Sequence, residues 1–105
     1  MELLLEKAAP PTRSVEMMFA AGERLTLEER VIREIICPQE VVIFRVPTKT
    51  FGKVLIHWGC MSLHNNARGP YKGGIRISED VTVWETMELS RLMTLKTAVN
   101  DIELG

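Results

Sequence analysis

Cysteine is scarce in this 105-residue chain: Cys37 and Cys60 are its only two, which excludes a disulfide framework and suits a reducing compartment. No charge sign dominates. Thirteen Lys and Arg stand against fourteen Asp and Glu, for a formal net charge of −1, so the basic excess of a nucleic-acid binder is missing. Long hydrophobic runs are missing too. Leu3-Leu4-Leu5 is bracketed by Glu2 and Glu6 and is far too short for a signal sequence or a membrane span. The expectation is a soluble, cytoplasmic protein with neither a nucleic-acid nor a membrane partner.

Several kinds of chemistry are also without their residues. No Cys-x-x-Cys pair or helical His-x-x-x-His spacing occurs. His57 and Cys60 lie three apart on an expected strand, so their side chains leave opposite faces; no metal site is expected. There is no Gly-x-Gly-x-x-Gly or Walker sequence for a nucleotide phosphate. No Ser/His/Asp or Cys/His arrangement can be argued from spacing, and no internal repeat, low-complexity stretch or linker divides the chain.

What is present is average globular composition, 46% hydrophobic and 26% charged, in a length suited to one small domain. Residues 1–12, with Pro10-Pro11, read as an extended lead-in. Val15, Met18, Phe19 and Gly22 recur at helical spacing. Thr26 with Glu29 fits a capping box, opening a second helix with Leu27, Val31, Ile32, Ile35 and Ile36 on one face, which Pro38 ends. Glu40 to Val46 is rich in β-branched and aromatic residues and reads as a strand buried on both faces. Lys53 to Leu63 pairs with it economically as an antiparallel hairpin around Gly52. Ile75 to Ile77 is a third short strand. Thr82 with Glu85 is a second capping box, opening a helix to about Val99 with Glu85, Glu88 and Arg91 on its polar side and Leu89, Leu92 and Met93 on its apolar side. Asp101 to Gly105 reads as the start of a further strand. The fold class is therefore α/β: two N-terminal helices, a small mixed sheet with an antiparallel hairpin, and a packing helix, as an incomplete part of a larger sheet.

Two lysines carry the chemical interest. Lys96 follows Leu89, Leu92 and Met93 by seven, four and three residues, and so points where the core points. Either its stem covers apolar surface while the ammonium reaches water, or an anion meets it in a cleft. Lys72 stands between Gly69-Pro70 and Gly73-Gly74, in a loop that is either a solvent-exposed turn or a place where glycine amides approach an anion. Together the two ammonium groups suit a dicarboxylate, one to each carboxylate. Charge-assisted contacts of roughly 1.5–3 kcal/mol each support about millimolar to sub-millimolar binding.

The run HNNARGPYKGGIR from His64 to Arg76, with LMTLKTAV from Leu92 to Val99, resembles two signature blocks of the glutamate dehydrogenase family, in the dimerisation or substrate segment of the Glu/Leu/Phe/Val dehydrogenases. The similarity runs from about Val31 to Gly105 and is strongest from His64 to Val99. Carried over, it implies that Lys72 holds the substrate side-chain carboxylate and Lys96 the α-carboxylate. It implies further that the backbone at Gly74 approaches the substrate and that Met93 walls the pocket. A lysine at position 72, where the leucine, phenylalanine and valine dehydrogenases are apolar, favours glutamate and 2-oxoglutarate.

In such a family the terminal Leu-Gly leads into a glycine turn with the catalytic lysine. The expectation is thus a partial dimerisation and substrate-binding domain over residues 1–105, with no catalytic residue, no nucleotide-binding domain and no bound cofactor of its own. NAD or NADP would serve the implied full-length enzyme. The resemblance also implies a homo-oligomer, commonly a hexamer. A stand-alone binding or assembly module is the competing expectation. Met61 and Leu63 replace residues that are commonly polar in the family, and the connection from Pro47 to Lys53 is short, which bears on packing rather than on substrate identity.

Overall fold

A computed structural model describes residues 13–77 and 82–105; the lead-in expected over residues 1–12 lies outside them. Six elements follow in chain order: α1 (Arg13–Arg24), α2 (Glu29–Ile36), β1 (Glu40–Thr50), β2 (Lys53–Leu63), β3 (Ile75–Ile77) and α3 (Val83–Val99). This is the expected set of helices around a small, open sheet. The described strands pair antiparallel throughout, in the order β1-β2-β3.

The helical pattern of α1 turns Met18 and Gly22 inward. Gly22 lets α2 close on it, because a Cβ there would lie 2.5 Å from the Ile32 side chain. Ile32 is buried, whereas Val31 and Ile35 stay exposed, so the covered face of α2 is narrower than its pattern suggests. The capping box expected at Thr26 does not form. Glu28 is the N-cap and makes no side-chain cap bond. Thr26 is instead spent on ending α1: it takes φ 57°, its N–H bonds to Glu23 O and the next N–H, of Leu27, to Gly22 O. That pair of bonds is a Schellman ending, with threonine in the place glycine usually takes. Pro38 stops α2 as expected, and Cys37 before it is extended, at φ −69° and ψ 126°.

The hairpin turns through Phe51 and Gly52, both at positive φ (51° and 75°), as a two-residue type I′ loop requires. β1 reaches Thr50, further than expected, and it is not buried on both faces. It is an edge strand, and Val41 and Val42 are each 40% exposed. The physical reason is that, among the described elements, α3 is the helix that packs on the sheet, and it does so chiefly on β2 and β3, near the hairpin's base. The free end extends away, and the Cα radius of gyration is 15.8 Å, against about 13 Å for a compact domain of 100 residues.

α3 opens as expected, with Thr82 accepting from the Glu85 N–H at 3.2 Å. Its buried face differs from the expected one. Val83, Thr86, Ser90 and Thr97 point inward, with Arg91 also buried, while Leu92 is exposed. The sheet comes too close for leucine, so small side chains occupy the contact and Leu89 and Met93 sit half-buried at its margins. Cys60 and Val83 are the buried apolar centre, flanked by Ile43 and Met87. Asp101 to Gly105 forms no strand. Asp101 takes φ 52°, with its N–H to Ala98 O and the Ile102 N–H to Thr97 O, a second Schellman ending without glycine.

Candidate functional site

The loop between β2 and β3 begins at His64, which is buried. Its Nε2 donates to the Ile35 carbonyl at 2.8 Å, which leaves Nδ1 to accept from the Thr94 hydroxyl, also at 2.8 Å. One imidazole thus ties the end of α2 and the middle of α3 to the loop. Burial holds its pKa below the ordinary histidine value; the bond to Ile35 opposes that, and the Arg91 charge adds to it.

Beyond His64 the loop is fastened at several points. Asn65 Oδ1 accepts from the Ala67 N–H, an Asx-type turn. The Arg68 N–H bonds to Gly105 O, and the Gly105 N–H returns to Pro70 O. Arg68 also pairs with Asp101 at 3.1 Å, and the Tyr71 hydroxyl donates to Gln39 at 2.6 Å.

The lysine-bearing stretch then lies along α3. Gly73, at φ 75°, leaves no room for a side chain, since a Cβ would sit 2.7 Å from Met93 Cγ. Gly74, at φ 96°, is tighter still, with a Cβ there 2.4 Å from Ser62 O and 2.8 Å from Ser90 Cβ. The Gly74 carbonyl meanwhile accepts from the Ser62 N–H at 2.7 Å. Position 74 therefore rests over Ser90 and position 73 over Met93. Between these two contacts the backbone runs against the helix direction, and Lys72 is the residue before Gly73.

Of the four residues singled out from the sequence, Gly74 seats on Ser90 and Met93 lies against Gly73; Lys72 precedes Gly73 in the chain, and Lys96 follows Met93 by three residues on α3. Both lysines are exposed, which corrects the expectation that Lys96 points where the core points. Thr97 takes the inward position in the last turn, and Lys96 shares the open flank of Leu92. Among the described residues neither ammonium has an ion-pair partner.

Sequence reasoning missed the supports beneath this contact. Ser62 and Ser90, both fully buried, share a hydrogen bond of 2.8 Å, and Ser90 also donates to Met87 O. The signal was the Gly73-Gly74 pair, whose freedom serves close approach to helix and strand. Arg91, expected on the polar side, is 4% exposed, and its Nε and Nη1 have no hydrogen-bond partner; burial pulls its pKa down, against the pull of Glu88. Glu88 itself accepts from both the backbone N–H and the hydroxyl of Ser14, which fastens α1 to α3. Burial pushes the Cys60 thiol up, against a hydrogen bond with Thr86, so this cysteine stays a protonated core group. Among the described residues no three His, Cys, Asp or Glu gather as metal ligands, and no helix is long and apolar enough to cross a membrane.

Residues 38–105, which hold this contact, match the Glu/Leu/Phe/Val dehydrogenase dimerisation domain. The chain belongs to that family. Glutamate dehydrogenase B of Halobacterium salinarum is 38% identical over 87 residues, covering 82% of this chain and 20% of the relative. The NADP-specific glutamate dehydrogenase of Saccharolobus shibatae is 34% identical over 88 residues, 83% of this chain and 21% of that one. The NAD-specific glutamate dehydrogenase A of Halobacterium salinarum is 33% identical over 89 residues, 84% and 20% respectively. The chain therefore spans about a fifth of the length of these dehydrogenases.

Proposed function

We propose that these residues are the dicarboxylate-holding and assembly part of a glutamate dehydrogenase. The whole enzyme would interconvert glutamate with 2-oxoglutarate and ammonia in the cytoplasm. The observation that carries this reading is the seating of Gly73 on Met93 and Gly74 on Ser90, which sets the Lys72 loop beside the Lys96 helix. Lys72 then receives the side-chain carboxylate and Lys96 the α-carboxylate. Gly74 offers close backbone, and Met93 forms an apolar wall between the two charges. Such a clamp contributes by orientation, holding the substrate α-carbon in one place.

NAD and NADP both occur in the names of the relatives. Gly69, Gly73 and Gly74 approach Glu103, Met93 and Ser90 rather than leaving an open phosphate cradle, which supports a dinucleotide site outside this loop. In this reading the cofactor is held elsewhere in a protein of the relatives' length, and residues 1–105 alone are inactive. Formation of NADH or NADPH from glutamate by the isolated chain would overturn that part.

Titration with 2-oxoglutarate tests the clamp. The unsubstituted chain should bind at about millimolar or better, from two charge-assisted contacts, and Lys72→Leu should lose tenfold or more. Equal binding by both forms removes Lys72 from the site. The exposed apolar residues along the hairpin favour a second role for the same segment, association with further copies of itself, in an oligomer commonly hexameric across the family. A concentration-independent monomer by light scattering would count against it.

A further inference from the structure

We infer that Ser90, a fully buried residue that touches no substrate in the reading above, sets the span between the two lysines and hence the length of dicarboxylate the site accepts. The inference rests on that reading and deepens it. Gly74 sits on Ser90 so closely that a Cβ at position 74 would be 2.8 Å from Ser90 Cβ. Beside it, Gly74 is held to β2 by the 2.7 Å bond from the Ser62 N–H to its carbonyl, which continues the β2–β3 ladder. From below, the Ser90 hydroxyl is fixed twice, to Ser62 Oγ at 2.8 Å and to Met87 O at 2.7 Å. The height of the loop over α3 at this point is therefore the size of one side chain.

That height is transmitted directly to Lys72. Gly73 rests on Met93, one turn along the helix from Ser90, and Lys72 is the adjoining residue of the loop, while Lys96 lies one turn beyond Met93 on α3. The loop is held at its other end by the paired bonds between Gly105 and the Arg68 and Pro70 backbones. A wider side chain at position 90 thus cannot be absorbed by sliding; it tilts the stretch 72–74 away from the helix about the fixed end. The distance between the ammonium groups grows, and a longer dicarboxylate fits better. Ser90 is a positioning residue, acting through Gly74.

The test is titration of the 105-residue chain with three 2-oxo dicarboxylates of four, five and six carbons: oxaloacetate, 2-oxoglutarate and 2-oxoadipate. Ser90→Val should weaken 2-oxoglutarate about tenfold and move the preference toward 2-oxoadipate. Ser90→Thr keeps the hydroxyl and adds one methyl group, so it should move the preference the same way by a few-fold; it carries the test if the valine variant does not fold. Ser90→Ala removes the hydroxyl without adding bulk and should keep the ranking of the three ligands. A merely structural role would weaken all three ligands alike. If Ser90→Thr or a folded Ser90→Val leaves the ranking unchanged while Lys72→Leu abolishes binding, the clamp stands and the inference about Ser90 falls. If the unsubstituted chain binds none of the three, the clamp itself falls, and this inference with it.

Discussion

One face of β2 is closed at one end and open at the other. Ser62 and Cys60 are fully buried there, whereas Trp58, Ile56 and Val54, successive residues of the same face, are 36%, 54% and 65% exposed. Residue type alone would rank the two ends the other way round. The apolar side chains lie in the open, and the small polar ones lie under α3. What differs is the partner. At the base, α3 offers Thr86 and Ser90, so helix and strand approach closely and every hydroxyl finds an acceptor. At the free end no described element covers the strand. The base fixes a geometry and the free end offers a surface, which matches the two roles proposed for the segment.

The sharpest way to break that contrast is to make one substitution at both ends. Gly74 and Gly52 both adopt positive φ, 96° and 75°, but a Cβ at Gly74 would strike Ser62 O, whereas nothing lies within 4 Å of one at Gly52. Gly74→Ala should therefore cost about 3 kcal/mol, combining backbone strain with a collision that neither neighbour can relieve cheaply. Urea unfolding of the substituted chain measures it. A loss below about 1 kcal/mol would mean that the loop is not seated on β2 and α3 as described.

How much of this could be read from the sequence follows the same division. The hairpin, its Gly52 turn, the Thr82 cap and the lysine loop each rest on local signals a few residues long, and each is found. The contact beneath the loop rests on side chains from β2 and α3, Ser62 and Ser90, 28 residues apart, and no local pattern joins them. Periodicity also favoured Leu92 over Thr86 and Ser90 as the inward face of α3, because it weighs hydrophobicity and not the room available. Thr26 misled for another reason: the same residue suits an N-cap and a helix ending, and α1 claimed it first. Arg91 carries the charge of a surface residue and is buried all the same.

His64 sharpens the comparison through pH. Its folded pKa lies below the ordinary value of 6.5, so between the two values the unfolded chain binds more protons than the folded one. Stability is then fully present above pH 6.5 and falls as pH drops through that window, by at most about 1.4 kcal/mol per pH unit. His64→Gln should flatten this part of the pH–stability profile. An unchanged slope would show that the imidazole does not tie α2 to α3. Substitutions at the free end should leave the slope as it is.

Gly52→Ala, the partner of the first substitution, should cost about 1 kcal/mol, since only the intrinsic penalty of positive φ applies. A cost equal to that at Gly74 would mean that backbone conformation, and not the close contact, explains both.

The smallest expected effect on stability is the most informative about the open face. Val54→Thr with Ile56→Thr keeps the β-branched shape that suits a strand while removing apolar surface that is already more than half exposed. Urea unfolding should shift by about 0.5 kcal/mol or less, whereas any concentration-dependent increase in mass by light scattering should diminish, because the exposed strand loses the apolar contacts that would hold a neighbour. A loss of stability of about 2 kcal/mol instead would mean that these side chains are packed within the single chain, and the distinction between a base that positions and an end that associates would fail.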